Sequence, residues 1–363
     1  MKEKTKNIVV VIGFVAIIFI LLIANIVKKD EEISLDERRK LSQFPTITFE
    51  SVIKGEVSEK FEEYAVDQFI SRSDLRSIKS FWSKYIFGQK DNNGLFLKDN
   101  SIYKIEYPLN VSNVQKSADK IYSVYEKYLQ GMNVYYAIIP DKNYYLEADY
   151  LKIDVIDLNE IMQNRLTQMK YIDLTDDLEL SDYYKTDLHW KQENLTKVVR
   201  DIEKEMNIED TSNINYQIKE FGNFYGTYYG QLGMNIAPDK ISILNSNTIE
   251  NATTYNYETQ KSGKVYDEEK WQTSSDKYDI YLSGPTALIE IENTNGPEGR
   301  ELILFRDSFG SSIAPLLLEN YQKITLIDLR YISSRILDEY IDFENQDVLF
   351  LYNTLVLNQN VFK

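Results

Sequence analysis

The 363-residue chain has no cysteine and a single histidine, His189. The first absence argues against a disulfide framework and a thiol nucleophile. Together the two leave too few ligands for a zinc site of His and Cys. Positive charge is also scarce. With 41 Lys and Arg against 57 Asp and Glu the net charge is −16, so nucleic acid is not expected as a partner, because phosphate neutralisation needs clustered cations. A strongly anionic polymer is repelled for the same reason, and a neutral glycan or a small ester suits the charge better. No G-x-S-x-G elbow occurs, which disfavours an ordinary α/β-hydrolase. No cofactor is expected. What remains is a hydroxyl nucleophile served by His189, or no catalysis.

The rest of the composition, 43% hydrophobic and 27% charged, is that of a folded protein with ample chain for a core. The 28 Tyr and three Trp pack cores or contact sugars, and core packing accounts for most of them.

At the N-terminus, Lys2, Lys4 and Lys6 precede an uncharged apolar run from Ile8 to Val27, which Lys28 and Lys29 close. A run of about 20 residues is long enough to span a bilayer as a helix. Ala24-Asn25-Ile26-Val27 offers no small-x-small cleavage site, which favours an uncleaved anchor over a signal peptide. The expected location is the cell membrane, single-pass, with the C-terminal domain extracellular, although basic residues on both flanks set orientation weakly.

The expected organisation is a membrane anchor over 1–29, a juxtamembrane spacer over 30–57, and the first part of an α/β domain over 58–206. A β-rich insertion over 207–300 follows, then the second part of the domain over 301–363. Apolar positions from Ser58 to Tyr85 (among them Phe61, Leu75, Ile78, Phe81 and Trp82) recur at helical spacing and predict one or two amphipathic helices. Val111–Gln130 predicts a helix and Asn133–Ile139 a buried strand. A helix over Leu158–Met169, a strand over Tyr171–Leu174 and a helix over Gln192–Met206 are expected next. The alternation resumes with strands at Glu301–Phe305, Lys323–Asp328 and Val348–Tyr352, separated by helices at Ser311–Asn320 and Ser334–Phe343. Such alternation is the signature of a parallel sheet with helices on both faces.

Two segments could carry chemistry. In Asp187-Leu188-His189-Trp190 an extended backbone would put the carboxylate and the imidazole on one side. The carboxylate could then fix the tautomer and stabilise the imidazolium. The alternative is a histidine at the lip of the core, with Asp187 capping the next helix. In Arg306-Asp307-Ser308-Phe309-Gly310, the serine follows an apolar strand and precedes a helix, where ligands bind in open α/β folds. Helix-start N–H groups there would face an oxyanion. The alternative is a simple helix cap. Spacing by itself leaves both choices open.

The set Asp187-x-His189-Trp190, Asp307-Ser308-Phe309 and Ile327-Asp328-Leu329-Arg330-Tyr331 resembles the DHHW protein family. More distantly it resembles the alginate O-acetylation proteins with an SGNH hydrolase-like domain. Glu37-Arg38-Arg39-Lys40-Leu41 with Phe44-Pro45, Asp67-Gln68-Phe69 with Arg72, and Pro140-Asp141-Lys142 resemble further family blocks. Leu188 replaces the first histidine of the family's tetrad, and Arg306 stands where glycine often precedes the Asp-Ser pair, which bears on how tight that loop is.

The resemblance implies an α/β, SGNH hydrolase-like (flavodoxin-like) fold with Ser308 as nucleophile, His189 as base and Asp187 as its orienter. Arg330, Tyr352 and Asn353 become candidates for contact with the acyl oxygen or acceptor sugar, against the alternatives of surface pairing or strand-end capping. The implied function is an exported, membrane-anchored serine O-acyltransferase or esterase acting on O-acetyl groups of a cell-surface glycan. A multi-spanning membrane O-acyltransferase, or an acylated small molecule, is the implied acyl donor. The alternative is a catalytically inactive partner that presents glycan to such a transferase. Geometry separates the two, because a nucleophile must lie within hydrogen-bond reach of its base, and a gap beyond about 6 Å favours the scaffold.

Overall fold

A computed structural model describes residues 3–34, 37, 39–208, 214–293 and 296–363. Arg38 of the post-anchor block, and residues 209–213 and 294–295 of the expected insertion, lie outside the described residues. The chain divides into two compact units, Met1–Asn92 with Tyr229–Asn235, and Asn93–Tyr228 with Ile236–Lys363.

In the first unit, helix α1 (Glu3–Val27) buries none of its residues and is long and apolar enough to cross a membrane. At about 1.5 Å per residue its length is enough for a bilayer core. Two helices follow, α2 (Glu56–Asp67) and α3 (Arg72–Phe81), the latter continued by a π-helical turn over Trp82–Ile86. Ion pairs tie them to the post-anchor segment. Arg39 binds both oxygens of Asp67 at 2.7 and 2.5 Å, and Glu37 meets Arg72 and Arg76. The Arg39 hydrogen bonds hold the Asp67 carboxyl down at about 2. The charged blocks read in this region therefore act as a clasp. The amphipathic pattern differs from expectation, because Phe61, Leu75, Ile78, Phe81 and Trp82 all face outward.

The second unit is built on one eight-stranded sheet. Its elements in chain order are α4 (Val111–Val124), β1 (Val134–Ile139), α5 (Val155–Arg165), β2 (Lys170–Ile172) and α6 (Thr196–Glu205), then β3 (Thr253–Asn256), β4 (Lys261–Lys264), β5 (Leu288–Glu292) and β6 (Glu301–Arg306). Helix α7 (Gly310–Leu317), β7 (Lys323–Ile327), β8 (Asp347–Asn353) and α8 (Thr354–Gln359) complete it. The spatial order is β4-β3-β5-β7-β6-β8-β1-β2. Strands β7, β6, β8, β1 and β2 pair in parallel, whereas β5, β3 and β4 extend the edge antiparallel. Counted from β6, the strand before Ser308, the parallel strands lie in the order 2-1-3-4-5. That is the flavodoxin-like order, entered by the chain at its fourth position. The late entry is why the Asp-x-His segment precedes the serine in sequence.

Alternate side chains along each strand feed opposite faces. Leu302, Leu304, Leu349 and Leu351 pack with α6 and α7 on one face. Ile303, Phe305, Val348, Phe350 and Tyr352 pack with α4, α5 and α8 on the other. The strands are thus apolar on both sides, as a doubly covered parallel sheet requires.

Two expectations change. The expected β-rich insertion over 207–300 is in part continuous with the sheet, since β3, β4 and β5 belong to it; the Gln217–Phe224 and Asp239–Asn245 pair forms a separate hairpin. Ser334–Phe343 is a 3₁₀ segment over Ser334–Glu339, not an α-helix. Only Leu337 and Ile341 bury apolar side chains there, too short a stripe to hold a longer helix against the core.

Candidate active site

The Asp187–His189 segment is a tight loop, so the two side chains do not meet through the extended backbone considered for it. An antiparallel bridge between Tyr183 and Trp190 closes it, with the Tyr184 N–H donating to the His189 carbonyl at 3.0 Å. Inside the loop, Asp187 Oδ1 accepts from the His189 backbone N–H at 3.0 Å, the side-chain turn that Asp favours. The same oxygen lies 2.5 Å from His189 Nδ1. Asp187 therefore caps its own turn and not the following helix. Its second oxygen accepts from the Thr227 N–H at 2.6 Å, so the fully buried carboxylate is held from two sides.

Three residues outside the loop set its shape. Asp239 accepts from Lys185 N, Thr186 N and Thr186 Oγ1 at 2.9, 2.8 and 2.6 Å. Lys142 is buried beneath the turn and donates from Nζ to the carbonyls of Tyr184, Lys185 and Asp187 at 2.8, 3.2 and 2.7 Å. Burial pushes its ammonium down to about 8, against the opposing pull of Asp141, Asp187 and Asp239. At Gly226 an added Cβ would fall 2.3 Å from both Asp187 Cβ and the Thr186 carbonyl oxygen, so only glycine allows that approach.

On the other side, Ser308 lies between β6 and α7, outside the carboxyl end of the sheet and beside the point where strand order reverses. His189 Nε2 and Ser308 Oγ are 2.7 Å apart. Ser308 stays partly exposed while His189 is buried. The serine does not cap the helix. Asp307 takes the local role instead, accepting from Phe309 N at 2.9 Å and from Asn353 N at 2.7 Å, and burial raises its carboxyl above the usual range. Arg306 is accommodated by Gly310, where a Cβ would sit 2.5 Å from Arg306 Cβ. The chain thus keeps the turn tight with glycine four residues later.

Aromatic packing fixes the imidazole. Tyr278 stacks on His189 with ring centroids 3.9 Å apart and planes 10° from parallel, and Phe309 leans on it at 4.8 Å. Trp190 Nε1 and the Tyr278 hydroxyl both donate to Ser312 Oγ at 2.8 Å. Ser312 therefore serves as an acceptor inside α7.

Asp187, His189 and Ser308 are thus brought together. The other three candidates are committed elsewhere. Arg330 donates to both Asp328 oxygens at 2.9 and 2.7 Å. Asn353 caps α8 through Leu355 N at 2.9 Å and donates to the Ile139 carbonyl at 3.1 Å. Tyr352 is 2% exposed and packs edge-on against Phe362 in the core on the α4 and α5 face. Its ring lies on the sheet face opposite α6 and α7. The helix-start amides expected to face an oxyanion are also engaged. Those of Phe309, Gly310 and Ser311 bond to Asp307 Oδ1, the Asp307 carbonyl and the Ser308 carbonyl. Sequence spacing gives no sign that Lys142, Tyr278, Gly226 and Asp239 belong to the site; of the four, only Lys142 lies in a block, Pro140-Asp141-Lys142, that resembles the family's.

Residues 162–327, the stretch that holds all three, match the family model described as DHHW protein. The resemblance to the DHHW family read from the motifs therefore holds. A DHHW family protein from Eubacterium siraeum superposes with a TM-score of 0.58 at 21% identity, covering 75% of this chain and 95% of that one. Bacillus cereus PatB1, solved with a sulfonyl adduct, superposes at 0.57 and 17% identity, covering 74% and 97%. At such identities the likeness establishes the shared fold. The O-acetyltransferase domain of Pseudomonas putida AlgJ is more distant, at 0.44 and 11% over 73% of this chain and 92% of that one. No curated protein matches the chain.

Proposed function

We propose that the chain is a membrane-anchored serine O-acyltransferase or esterase, with its second unit outside the cell, acting on O-acetyl groups of a cell-surface glycan. One observation carries the reading: Asp187, His189 and the partly exposed Ser308 form an unbroken chain of contacts at 2.5 and 2.7 Å. An inert glycan-presenting partner needs no such contact.

Ser308 Oγ attacks the acyl carbonyl while His189 Nε2 takes its proton, and Asp187 stabilises the resulting imidazolium. The tetrahedral intermediate collapses as His189 returns the proton to the departing alcohol, leaving an acyl-serine. A sugar hydroxyl or water then gives its proton to His189 and attacks the acyl carbon, and His189 returns the proton to Ser308 Oγ as that oxygen leaves. With the next three amides engaged, the Ser308 N–H is the backbone donor assigned to the developing oxyanion. The net negative charge suits a neutral glycan acceptor. The DHHW match and the sulfonyl adduct carried by PatB1 support the reading, since sulfonylation is a reaction of activated nucleophiles. A multi-spanning O-acyltransferase, or an acylated small molecule, would supply the acyl group.

The test uses the full chain in detergent with an aryl acetate. Ser308→Ala and His189→Ala should each remove activity by a factor on the order of 10³ or more, and mass spectrometry should find the acetyl group on Ser308. A sulfonyl fluoride should label Ser308 in the native chain and not in His189→Ala. Activity unchanged in both variants would overturn the reading. Adding an oligosaccharide and weighing the acetylated sugar separates transferase from esterase.

A further inference from the structure

A helix on a protein surface ordinarily turns its apolar stripe inward; α3 with its π-helical turn is built the other way round. Its inward side is polar. Arg76 Nη2 donates to the Gly230 carbonyl at 2.6 Å, Ser80 Oγ donates to the Leu232 carbonyl at 2.7 Å, and Ser80 and Ser83 are buried. Its outward side carries Leu75, Ile78, Phe81, Trp82, Tyr85 and Ile86, each between 48% and 58% exposed. Exposed apolar patches of this kind mark a binding surface.

Two further observations identify the occupant. Asn25, in the last turn of α1, accepts from the Ile70 N–H at 2.7 Å, while Gln68 and Glu31 bond reciprocally at 3.0 and 2.8 Å. The start of α3 is therefore fastened to the end of the apolar helix. The segment 72–90 also holds five Lys and Arg against a single acid, Asp74. Arg72 and Arg76 face Glu37, and Lys79, Lys84 and Lys90 follow among the aromatic residues, Lys84 with its ammonium 5.5 Å from the Tyr85 ring centroid. Basic residues alternating with Trp, Tyr and Phe on an exposed apolar face form the pattern of a helix lying in a membrane interface.

We infer that Arg72–Ile86 lies in the bilayer surface next to the exit of α1, its apolar side in the lipid and its lysines among the phosphates. The segment then holds the first unit against the membrane instead of leaving it free on a tether. The inference rests on α1 remaining in the bilayer, which the mass of the reconstituted chain checks. It is independent of acyl transfer.

The native chain lacks cysteine, so single-cysteine nitroxide labels are clean reporters. The full chain, alone in vesicles of phosphatidylcholine and phosphatidylglycerol, would carry Ile78→Cys, Trp82→Cys or, as the aqueous control, Lys60→Cys. Labels at 78 and 82 should collide with oxygen in several-fold excess over a water-soluble nickel chelate, relative to the label at 60. Brominated lipid should quench part of the native tryptophan fluorescence, and Trp82→Phe should lose that part. Labels at 78 and 82 that behave like the one at 60 would overturn the inference. So would labels there shielded from both reagents, which would indicate a protein cover such as a second copy of this chain.

Discussion

The His189 imidazole lies face to face with the Tyr278 ring at 3.9 Å, and the Tyr278 hydroxyl donates to Ser312 in α7. One buried tyrosine thus links the proposed base to the helix that follows the proposed nucleophile. The stacked ring face holds the imidazole in its orientation toward Ser308, and misplacing a base costs rate. Tyr278→Leu should lower kcat for aryl acetate about tenfold, while Tyr278→Phe, which keeps the ring, should stay within about threefold of the parent. Equal losses in the two variants would assign the effect to the Ser312 hydrogen bond instead.

Lys142 holds three carbonyls of the loop that carries Asp187. Lys142→Met leaves them without that donor in a buried place, at a cost of at least about 2 kcal/mol. Denaturant unfolding should show the loss of stability. The turnover of the remaining folded protein should also fall, because the Asp187 carbonyl is one of the three freed groups.

Gly226→Ala places a methyl group where Asp187 Cβ and the Thr186 carbonyl already stand. Overpacking of this sort costs about 1–3 kcal/mol. Because the displaced atoms belong to Asp187, activity should drop further than stability. Parallel melting curves and turnover assays on the same preparation would separate the two effects.

Burial, reinforced by the neighbouring Asp141 charge, pushes the Glu106 carboxyl up to about 8. The folded chain then holds a proton that the unfolded chain releases near the ordinary value of 4.5. The stabilisation is complete below pH 4.5 and is lost as pH rises through about 8, with an upper bound on the order of 3–5 kcal/mol. Glu106→Gln should flatten this part of the stability profile between pH 5 and 8, as measured by denaturant titration.

The division between what sequence showed and what folding added follows the range of the interactions. Unbroken apolar runs located the strands, because burial on both faces of a parallel sheet requires them. The lone histidine with an acid two residues earlier was visible locally, and so was a serine after an apolar strand. The 2.7 Å contact between them spans 119 residues of chain, and spacing carries no information at that distance; only the family pattern joined the two. Arg330, Asn353 and Tyr352 show the opposite limit. They follow or end strands near the site, yet Asp328, the start of α8 and the far face of the core claim them, partners that sequence position does not reveal. Composition alone placed an apolar helix at the N-terminus and ruled out thiol chemistry. Tertiary packing decided which side of α3 faces outward, since the polar atoms it buries find their acceptors some 150 residues away.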